Sequence, residues 1–149
     1  KPGAKYALDV TKNNKIGVLG THATVNSRAY IYAIKEHVKE AQVFQQACPL
    51  FVPLVEEAII SGKIAETIVE ETLKDIAKTG IDTVILGCTH YPVLKDLIEK
   101  YLPNTKVVDS THYIIEDIEK LHLNNNEKGL RQVLVTDDTP AFLSLKICL

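Results

Sequence analysis

The residues with the clearest chemical potential are Cys88, Thr89 and His90, three consecutive side chains in the segment Thr83–Pro92. They follow a short apolar run with β-branched residues, which is typical of a strand buried on both faces. Pro92 suits the first turn of a helix, because its missing N–H would have no partner there. The sequence therefore places a thiol, a hydroxyl and an imidazole between a strand and a helix, where ligands bind in open α/β sheets.

We expect Cys88 to be the reactive thiol of the chain. A thiol close to a helix N-terminus feels the positive end of the helix dipole, which lowers a cysteine pKa from about 8.5 to roughly 3.5–7.5. His90 lies close enough in sequence to share the thiol proton, and Thr89 offers a hydroxyl. The free backbone N–H groups at the start of the helix are placed to bind a carboxylate or phosphate. The residues alone leave a second interpretation open, since a cysteine after an apolar strand is usually a small buried hydrophobe.

A second polar turn follows the predicted strand Lys15–Gly20. Its hydroxyls, Thr21 and Thr24, are placed either to bind a ligand or to cap the helix predicted over about 25–40. His22 lies in the same turn and is interpreted as solvated.

Two adjacent carboxylates, Glu56 and Glu57, follow the unusually apolar stretch Cys48–Val55. One interpretation places both in the first turn of a helix, where acidic residues favour the dipole. The other places one of them at a partly dry site with a raised pKa, suited to proton handling.

The composition indicates an ordinary globular chain of one domain or two very small ones. Its 149 residues are 46% hydrophobic and 24% charged, with a net charge of −2, which excludes a broad basic surface for nucleic acid. Cys48, Cys88 and Cys148 lack paired or metal-type spacing, which favours a reducing cytoplasm. No signal peptide or membrane-spanning run is evident. Lys1 in place of Met indicates a truncated or processed start.

Strands and helices alternate, which predicts an α/β fold with a three-layer, mainly parallel sheet flanked by helices. The predicted strands are 15–20, 42–46, 83–86, 106–108 and 132–136, and the predicted helices are 4–12, 25–40, 64–77, 93–101, 112–121 and 139–145. Helix 64–77 is amphipathic, with an apolar side made of Ile64, Ile68, Leu73 and Ile76. Asp109, Ser110 and Thr111 are predicted to cap helix 112–121.

Several segments together resemble the glutamate racemases of the cofactor-independent aspartate/glutamate racemase superfamily. The most specific are Cys-Pro-Leu-Phe-Val-Pro-Leu-Val-Glu-Glu at 48–57 and Gly-Cys-Thr-His-Tyr-Pro at 87–92. Supporting matches are 2–5, 15–21, 23–25 and 108–110, in the family's order. The resemblance implies interconversion of L- and D-glutamate by two cysteine bases, without a cofactor or metal, to supply D-glutamate for peptidoglycan, the cell wall and cell shape.

The resemblance also implies roles for individual residues. Cys88 corresponds to the catalytic cysteine of the second half, and Thr89 and His90 would contact the substrate or its proton. Glu56 corresponds to an acidic residue that assists this cysteine, with Glu57 as the alternative. Thr21 and Thr24 correspond to a turn near the substrate carboxylates. A cytoplasmic homodimer is implied for the complete enzyme, with glutamate as its partner and neither nucleic acid nor a membrane.

The resemblance covers one half of a pseudo-symmetric two-domain racemase. It implies a linker helix at 1–14, the second catalytic domain at 15–108, and a tail at 109–149 that completes the first domain. The family's Asp-Ser-Gly turn, Pro-Tyr-Gly loop and Ala-Cys-Asn-Thr turn with the partner cysteine do not occur in these 149 residues. We therefore expect one base of two, no racemisation by this chain alone, and a strand at 132–136 whose sheet partners precede Lys1.

Other interpretations of these residues remain. Within enzymes, a racemase of the same superfamily acting on aspartate or hydantoins is an alternative. The chain could instead be a non-catalytic domain that binds small dicarboxylates. Cys88 and His90 could serve a thiol-dependent hydrolase as nucleophile and base, or bind a metal together with Cys48.

Overall fold

The fold is built on four parallel strands. In a computed structural model, which describes residues 2–121 and residue 134, these strands are β1 (Lys15–Gly20), β2 (Gln42–Ala47), β3 (Thr83–Leu86) and β4 (Lys106–Val108). They form one sheet in the order β2-β1-β3-β4, and every neighbouring pair is parallel. The prediction of an α/β fold with a parallel sheet is confirmed.

Helices cover both faces of this sheet. They are α1 (Pro2–Val10), α2 (His22–Ser27), α3 (Ala29–His37), α4 (Phe51–Glu56), α5 (Gly62–Leu73), α6 (Lys95–Tyr101) and α7 (Thr111–Lys120), with 3-10 turns at Ile76–Thr79 and Tyr91–Leu94. Successive side chains of β3 point to opposite faces, so Val84 joins a core with α4, α5 and α6, whereas Ile85 joins one with α1 and α3. The three-layer arrangement follows from these two cores.

Asp82, just before β3, fastens the end of α1 to the base of the sheet. Its carboxylate accepts hydrogen bonds from the Thr11 hydroxyl (2.6 Å), from the backbone N–H groups of Lys12 (2.7 Å) and Asn13 (2.8 Å), and from the Thr83 hydroxyl (3.0 Å). Desolvation raises the pKa of Asp82, but these four bonds together outweigh it and hold the pKa below its usual value. The negative charge of Asp82 therefore contributes to the docking of α1.

The helix predicted over 25–40 is wrong as a single element. Arg28 adopts a left-handed conformation (φ 52°) between α2 and α3, and α3 ends at His37. The Ser27 hydroxyl donates to the carbonyl of Thr24 (2.8 Å) and accepts from the N–H of Ala29 (3.3 Å). Such local side-chain bonds compete with the helical pattern, and they accompany the break at Arg28.

The predicted bounds of the amphipathic helix, 64–77, lie too far towards the C-terminus. Helix α5 begins at Gly62 and ends at Leu73, and its buried side is Ala65, Val69 and Leu73 at helical spacing. Ile64 was predicted to be buried but is 62% exposed, because it lies one position, about a quarter of a turn, away from that side. The predicted helix 93–101 likewise begins at Lys95, after a 3-10 turn that contains Pro92.

The interpretation of Glu56 and Glu57 as residues of a first helical turn is wrong. Glu56 is the last residue of α4, and Glu57 follows as its C-terminal cap. The apolar stretch itself forms the helix, because Phe51, Leu54 and Val55 all bury their side chains. Both carboxylates therefore lie at the unfavourable end of a helix dipole, and their position needs another reason.

The predicted strand at 132–136, the helix at 139–145 and Cys148 lie outside the described residues, apart from Leu134. Within residues 2–121, no helix has both the length and the apolar character required to cross a membrane.

Candidate active site

The carboxyl ends of the four strands meet at one edge of the sheet. Beyond β1, β2, β3 and β4 come Thr21, Cys48, Cys88 and Asp109 respectively. Backbone hydrogen bonds continue the pairing past the strands, from the Cys48 N–H to the Gly20 carbonyl (2.9 Å) and from the Gly87 N–H to the Leu19 carbonyl (2.8 Å). Residues far apart in sequence are thus brought together at this edge.

A thiol, an imidazole and a carboxylate lie in a row beside β3. The Cys88 Sγ is 3.7 Å from the His90 Nδ1, and the His90 Nε2 is 3.4 Å from the Glu56 Oε1. Cys88 is half-buried and the His90 side chain is 34% exposed, but the Glu56 side chain is 62% exposed. Glu57 is exposed as well, so the prediction of a partly dry site for one of the two carboxylates is wrong. Glu57 is exposed and makes no contact of this kind within the described chain, so the structure puts Glu56 against His90.

Tyr91 anchors this row to the neighbouring strand. Its ring is fully buried and packs edge-on against Phe51, with 5.2 Å between ring centroids and 71° between ring planes. Its hydroxyl donates a hydrogen bond to the Cys48 carbonyl at 3.0 Å. Burial raises the pKa of Tyr91, so the hydroxyl keeps its proton and remains a donor. The Tyr91 side chain thereby links the end of β2 to the turn that carries Cys88 and His90.

Gly87 lets the Cys88 turn approach β1 closely. A Cβ at this position would lie 2.9 Å from the Leu19 carbonyl oxygen and 3.3 Å from both the Thr24 methyl and the Tyr30 ring. Backbone atoms cannot move aside as a flexible side chain can, so a larger residue would displace the turn.

Thr21 and Thr24 support the neighbouring turn. The Thr21 hydroxyl caps α2 by accepting the Thr24 N–H at 3.3 Å, and the two hydroxyl oxygens are 3.2 Å apart. The capping interpretation therefore holds for Thr21. The Thr24 methyl packs beside Gly20 and Gly87, which brings the pair close to Cys88.

Cys48 has a structural environment and not a catalytic one. It is fully buried, and burial is the main cause that raises its pKa to about 12. Its thiol donates to the Gln46 carbonyl at 3.6 Å. Within the described residues, no group of three or more His, Cys, Asp and Glu side chains could hold a metal ion, which removes the metal site suggested for Cys48, Cys88 and His90.

A cleft of about 340 Å³ opens beside Cys88. One wall is the turn from Gly87 to Thr89 with Pro92, and the opposite wall is the segment Asp109–Thr111. Tyr30 and Leu86 complete the lining, while Thr21, Thr24, His90 and Glu56 stand outside it among the described residues. The volume lies within the range of small-molecule sites.

The wall at Asp109–Thr111 was missed as part of the site. The sequence indicated only a helix cap. Ser110 is the N-cap of α7 but makes no side-chain capping bond, whereas the Asp109 Oδ1 accepts the N–H of Thr111, the first residue of the helix, at 2.7 Å. The signal that would have identified it is topological. In a parallel sheet, the residues after β4 lie beside those after β3.

Comparison with known proteins identifies the family. The description Asp/Glu/Hydantoin racemase matches residues 2–118. A glutamate racemase from Sulfurihydrogenibium sp. is 49% identical over 146 residues, which cover 98% of this chain and 56% of that protein. A glutamate racemase from Aquifex pyrophilus is 45% identical over 140 residues, covering 94% of this chain and 54% of that protein.

A solved structure shares the fold as well. The glutamate racemase of Francisella tularensis, determined in complex with D-glutamate, superposes with a TM-score of 0.80 and 32% identity. The match covers 97% of this chain and 55% of that one, so the chain spans about half the length of the relatives it matches. By sequence and by fold, this chain belongs to the Asp/Glu/hydantoin racemase family.

Proposed function

We propose that this chain forms the half of a glutamate racemase that carries one of two proton-transferring cysteines. The observation that carries the proposal is the row formed by Cys88, His90 and Glu56 at the carboxyl end of β3. The relatives named glutamate racemase, and the D-glutamate bound to the Francisella tularensis protein, support glutamate as the substrate.

In the proposed reaction, the Cys88 thiolate removes the proton from the α-carbon of glutamate. The C–H bond breaks, an S–H bond forms, and the electron pair stays on the α-carbon beside its carboxylate. A second thiol on the opposite face then gives its proton to that electron pair, which produces the other enantiomer. In the reverse direction Cys88 is the donor, so each turnover uses both thiols.

His90 and Glu56 act on this proton from outside the cleft. The His90 Nδ1, 3.7 Å from the Cys88 Sγ, is placed to accept or return the thiol proton. The Glu56 carboxylate, 3.4 Å from the other ring nitrogen, fixes the orientation of the imidazole ring. This contact supplies a reason for a carboxylate at the unfavourable end of α4.

We propose that the second base comes from a segment that these 149 residues do not contain. Cys48 is unsuited, because it is fully buried and its pKa of about 12 keeps it protonated at neutral pH. This chain alone should therefore not racemise glutamate. The division into a linker helix at 1–14, a catalytic domain at 15–108 and a tail at 109–149 belongs to the same proposal.

The wider role follows from the family resemblance. We propose that the complete enzyme is a cytoplasmic homodimer that supplies D-glutamate for peptidoglycan, and thereby for the cell wall and cell shape. It would use no cofactor or metal, and it would bind neither nucleic acid nor membrane.

The test combines this chain with the first-half segment of a full-length relative. Racemisation of L-glutamate is followed by circular dichroism, and α-proton exchange in D₂O by NMR. We expect no racemisation by the chain alone and measurable turnover after the first half is added, lost again in Cys88→Ser. Racemisation by the chain alone would refute the one-base proposal. Binding of glutamate without turnover in the assembled protein would favour a binding domain, and faster turnover of aspartate would favour another racemase.

Two neighbouring carboxylates give a matched control for the row of contacts. Glu56→Gln removes the charge beside His90 and should lower kcat by up to about fivefold, because an ion pair to a carboxylate that is 62% exposed is worth at most about 1 kcal/mol. Glu57→Gln changes the same charge one residue away, where no such contact exists in the described structure. It should leave kcat within about twofold. Equal effects of the two substitutions would remove Glu56 from the mechanism.

A further inference from the structure

Tyr30 lines the cleft beside Cys88, but the proposed mechanism gives it no task. It belongs to α3, is half-buried, and packs against the core that contains Ile34 and Ile85. Burial raises the pKa of Tyr30, so its phenol is uncharged near neutral pH. An uncharged aromatic ring thus extends from this core to the cleft.

The two edges of the Tyr30 ring face two glycines that belong to different elements. A Cβ at Gly87 would lie 3.3 Å from the Cε2 of the ring, and a Cβ at Gly3 would lie 3.8 Å from its Cε1. Gly87 directly precedes Cys88, and Gly3 is in the first turn of α1. The tip of the ring therefore lies between the Cys88 turn and the start of α1.

Both walls of the cleft are in reach of this ring. The wall at Gly87–Thr89 meets it directly, at its first residue. The wall at Asp109–Thr111 is reached through α1, since a Cβ at Gly3 would also lie 3.8 Å from the Ser110 backbone nitrogen. The ring is thus placed to set the separation between the two walls.

We infer that Tyr30 is a positioning residue, whose ring keeps the two walls apart and so holds the Cys88 thiol at its place in the cleft. It acts through Gly87 and Gly3. The reaction that it serves rests on the proposed function. Proton transfer requires reacting atoms about 3–3.5 Å apart, and a displacement of about 1 Å can cost a factor of about 100 in rate. Loss of the ring should therefore affect catalysis more than substrate binding.

The first test uses the 149-residue chain and the thiol itself. Tyr30→Leu removes the ring, whereas Tyr30→Phe keeps both of its edges. Alkylation of Cys88 by iodoacetamide is followed by mass spectrometry, with each variant folded in the absence of denaturant. We expect Cys88 to react at least about threefold faster in Tyr30→Leu, because the half-buried thiol loses the packing behind its turn. Tyr30→Phe should react at about the wild-type rate.

Two substitutions on the same helix are matched controls. Ile34 is fully buried in the same core but is not among the nearest neighbours of either glycine, so Ile34→Ala destabilises the chain without removing the ring. Tyr32 is 65% exposed, so Tyr32→Leu removes a ring that touches neither wall. Both controls should leave the alkylation rate of Cys88 within about twofold of wild type. An equal acceleration in Ile34→Ala and Tyr30→Leu would reduce Tyr30 to an ordinary core residue and overturn the inference.

The second test uses the enzyme assembled with the first-half segment. Tyr30→Leu should lower kcat about tenfold to a hundredfold and leave KM within about threefold, and Tyr30→Phe should keep kcat within about threefold of wild type. A change in KM at constant kcat would overturn the inference. An equal loss of kcat in Tyr30→Phe and Tyr30→Leu would do so too, because it would assign the effect to the hydroxyl.

The two proposals fail separately. Absence of racemisation by the assembled wild-type enzyme would refute the proposed function, and the alkylation rates of Cys88 in the 149-residue chain would still decide the role of Tyr30. Racemisation that is undiminished in Tyr30→Leu, with an unchanged alkylation rate, would remove that role and leave the proposed function standing.

Discussion

Replacing Tyr91 by Phe tests whether the site turn is fastened to β2 as the structure indicates. The substitution keeps the buried ring and its edge-on contact with Phe51 but removes the hydroxyl that donates to the Cys48 carbonyl at 3.0 Å. A typical intramolecular hydrogen bond contributes about 0.5–1.5 kcal/mol, and a carbonyl left without any partner costs about 1–3 kcal/mol. The Cys48 carbonyl also accepts the Phe51 N–H at 3.2 Å, so it keeps one partner.

The lower range therefore applies, and we expect Tyr91→Phe to lower the free energy of unfolding by about 1 kcal/mol. Urea unfolding followed by far-UV circular dichroism measures it. With a slope of about 2 kcal/mol per molar urea, the midpoint should fall by about 0.5 M at constant slope. Tyr32→Phe, at a side chain that is 65% exposed, should leave the midpoint unchanged within error. An unchanged midpoint in Tyr91→Phe, or a loss above about 3 kcal/mol, would refute the reasoning.

Three further substitutions or measurements probe other contacts. The hydrogen bonds to Asp82 lower its folded-state pKa, so their contribution to stability is present above about pH 3.9 and is lost as the pH falls through the folded value. Asp82→Asn should flatten the stability-versus-pH curve in that acid window, and an identical curve would contradict this. Gly87→Ala should cost about 1–3 kcal/mol in urea unfolding, because its Cβ would meet a backbone carbonyl oxygen at 2.9 Å. Near neutral pH, iodoacetamide should modify half-buried Cys88 first and fully buried Cys48 only as fast as the chain unfolds. Equal rates at the two thiols would argue against the catalytic assignment of Cys88.

The sheet was predictable because its signals are local. The strand at Thr83–Leu86 was found at its observed bounds, since a short apolar run followed by glycine has few other interpretations. The prediction of one helix over 25–40 was wrong because the helix breaks at Arg28, where the Ser27 hydroxyl makes local hydrogen bonds to the backbone. The predicted burial of Ile64 was wrong because a shift of one residue around a helix moves a side chain from the core to the surface.

The site was only partly predictable for a related reason. Cys88 and His90 are two residues apart in sequence, so their association needed no tertiary information. The contact between Glu56 and His90 spans two elements, and the sequence alone could not choose between Glu56 and Glu57. Asp109 was missed because its place beside Cys88 arises from the pairing of β3 with β4, which no short motif encodes.

The strand order β2-β1-β3-β4 also governs how the chain reaches its structure. The pairings β1–β2 and β3–β4 join neighbouring elements of the sequence, whereas Thr11 and Asp82, beside the β1–β3 pairing, are 71 residues apart. Closing that longer loop costs about 1 kcal/mol more in chain entropy than closing either shorter one. We therefore expect the two outer pairs to form early on the folding pathway and the central pair to form after the transition state.

On this pathway a truncation in the central pairing, such as Leu86→Ala at a residue that pairs with Leu19 of β1 and has no partner in β4, should mainly speed unfolding. Slower folding in stopped-flow experiments would contradict it. Cys88 follows β3 and Asp109 follows β4, so the cleft that both residues line forms together with the β3–β4 pair. The Gly87 N–H, however, donates to the Leu19 carbonyl only after the β3–β4 pair has joined the β1–β2 pair. The turn that holds Cys88 is thus completed in the last assembly step of the sheet.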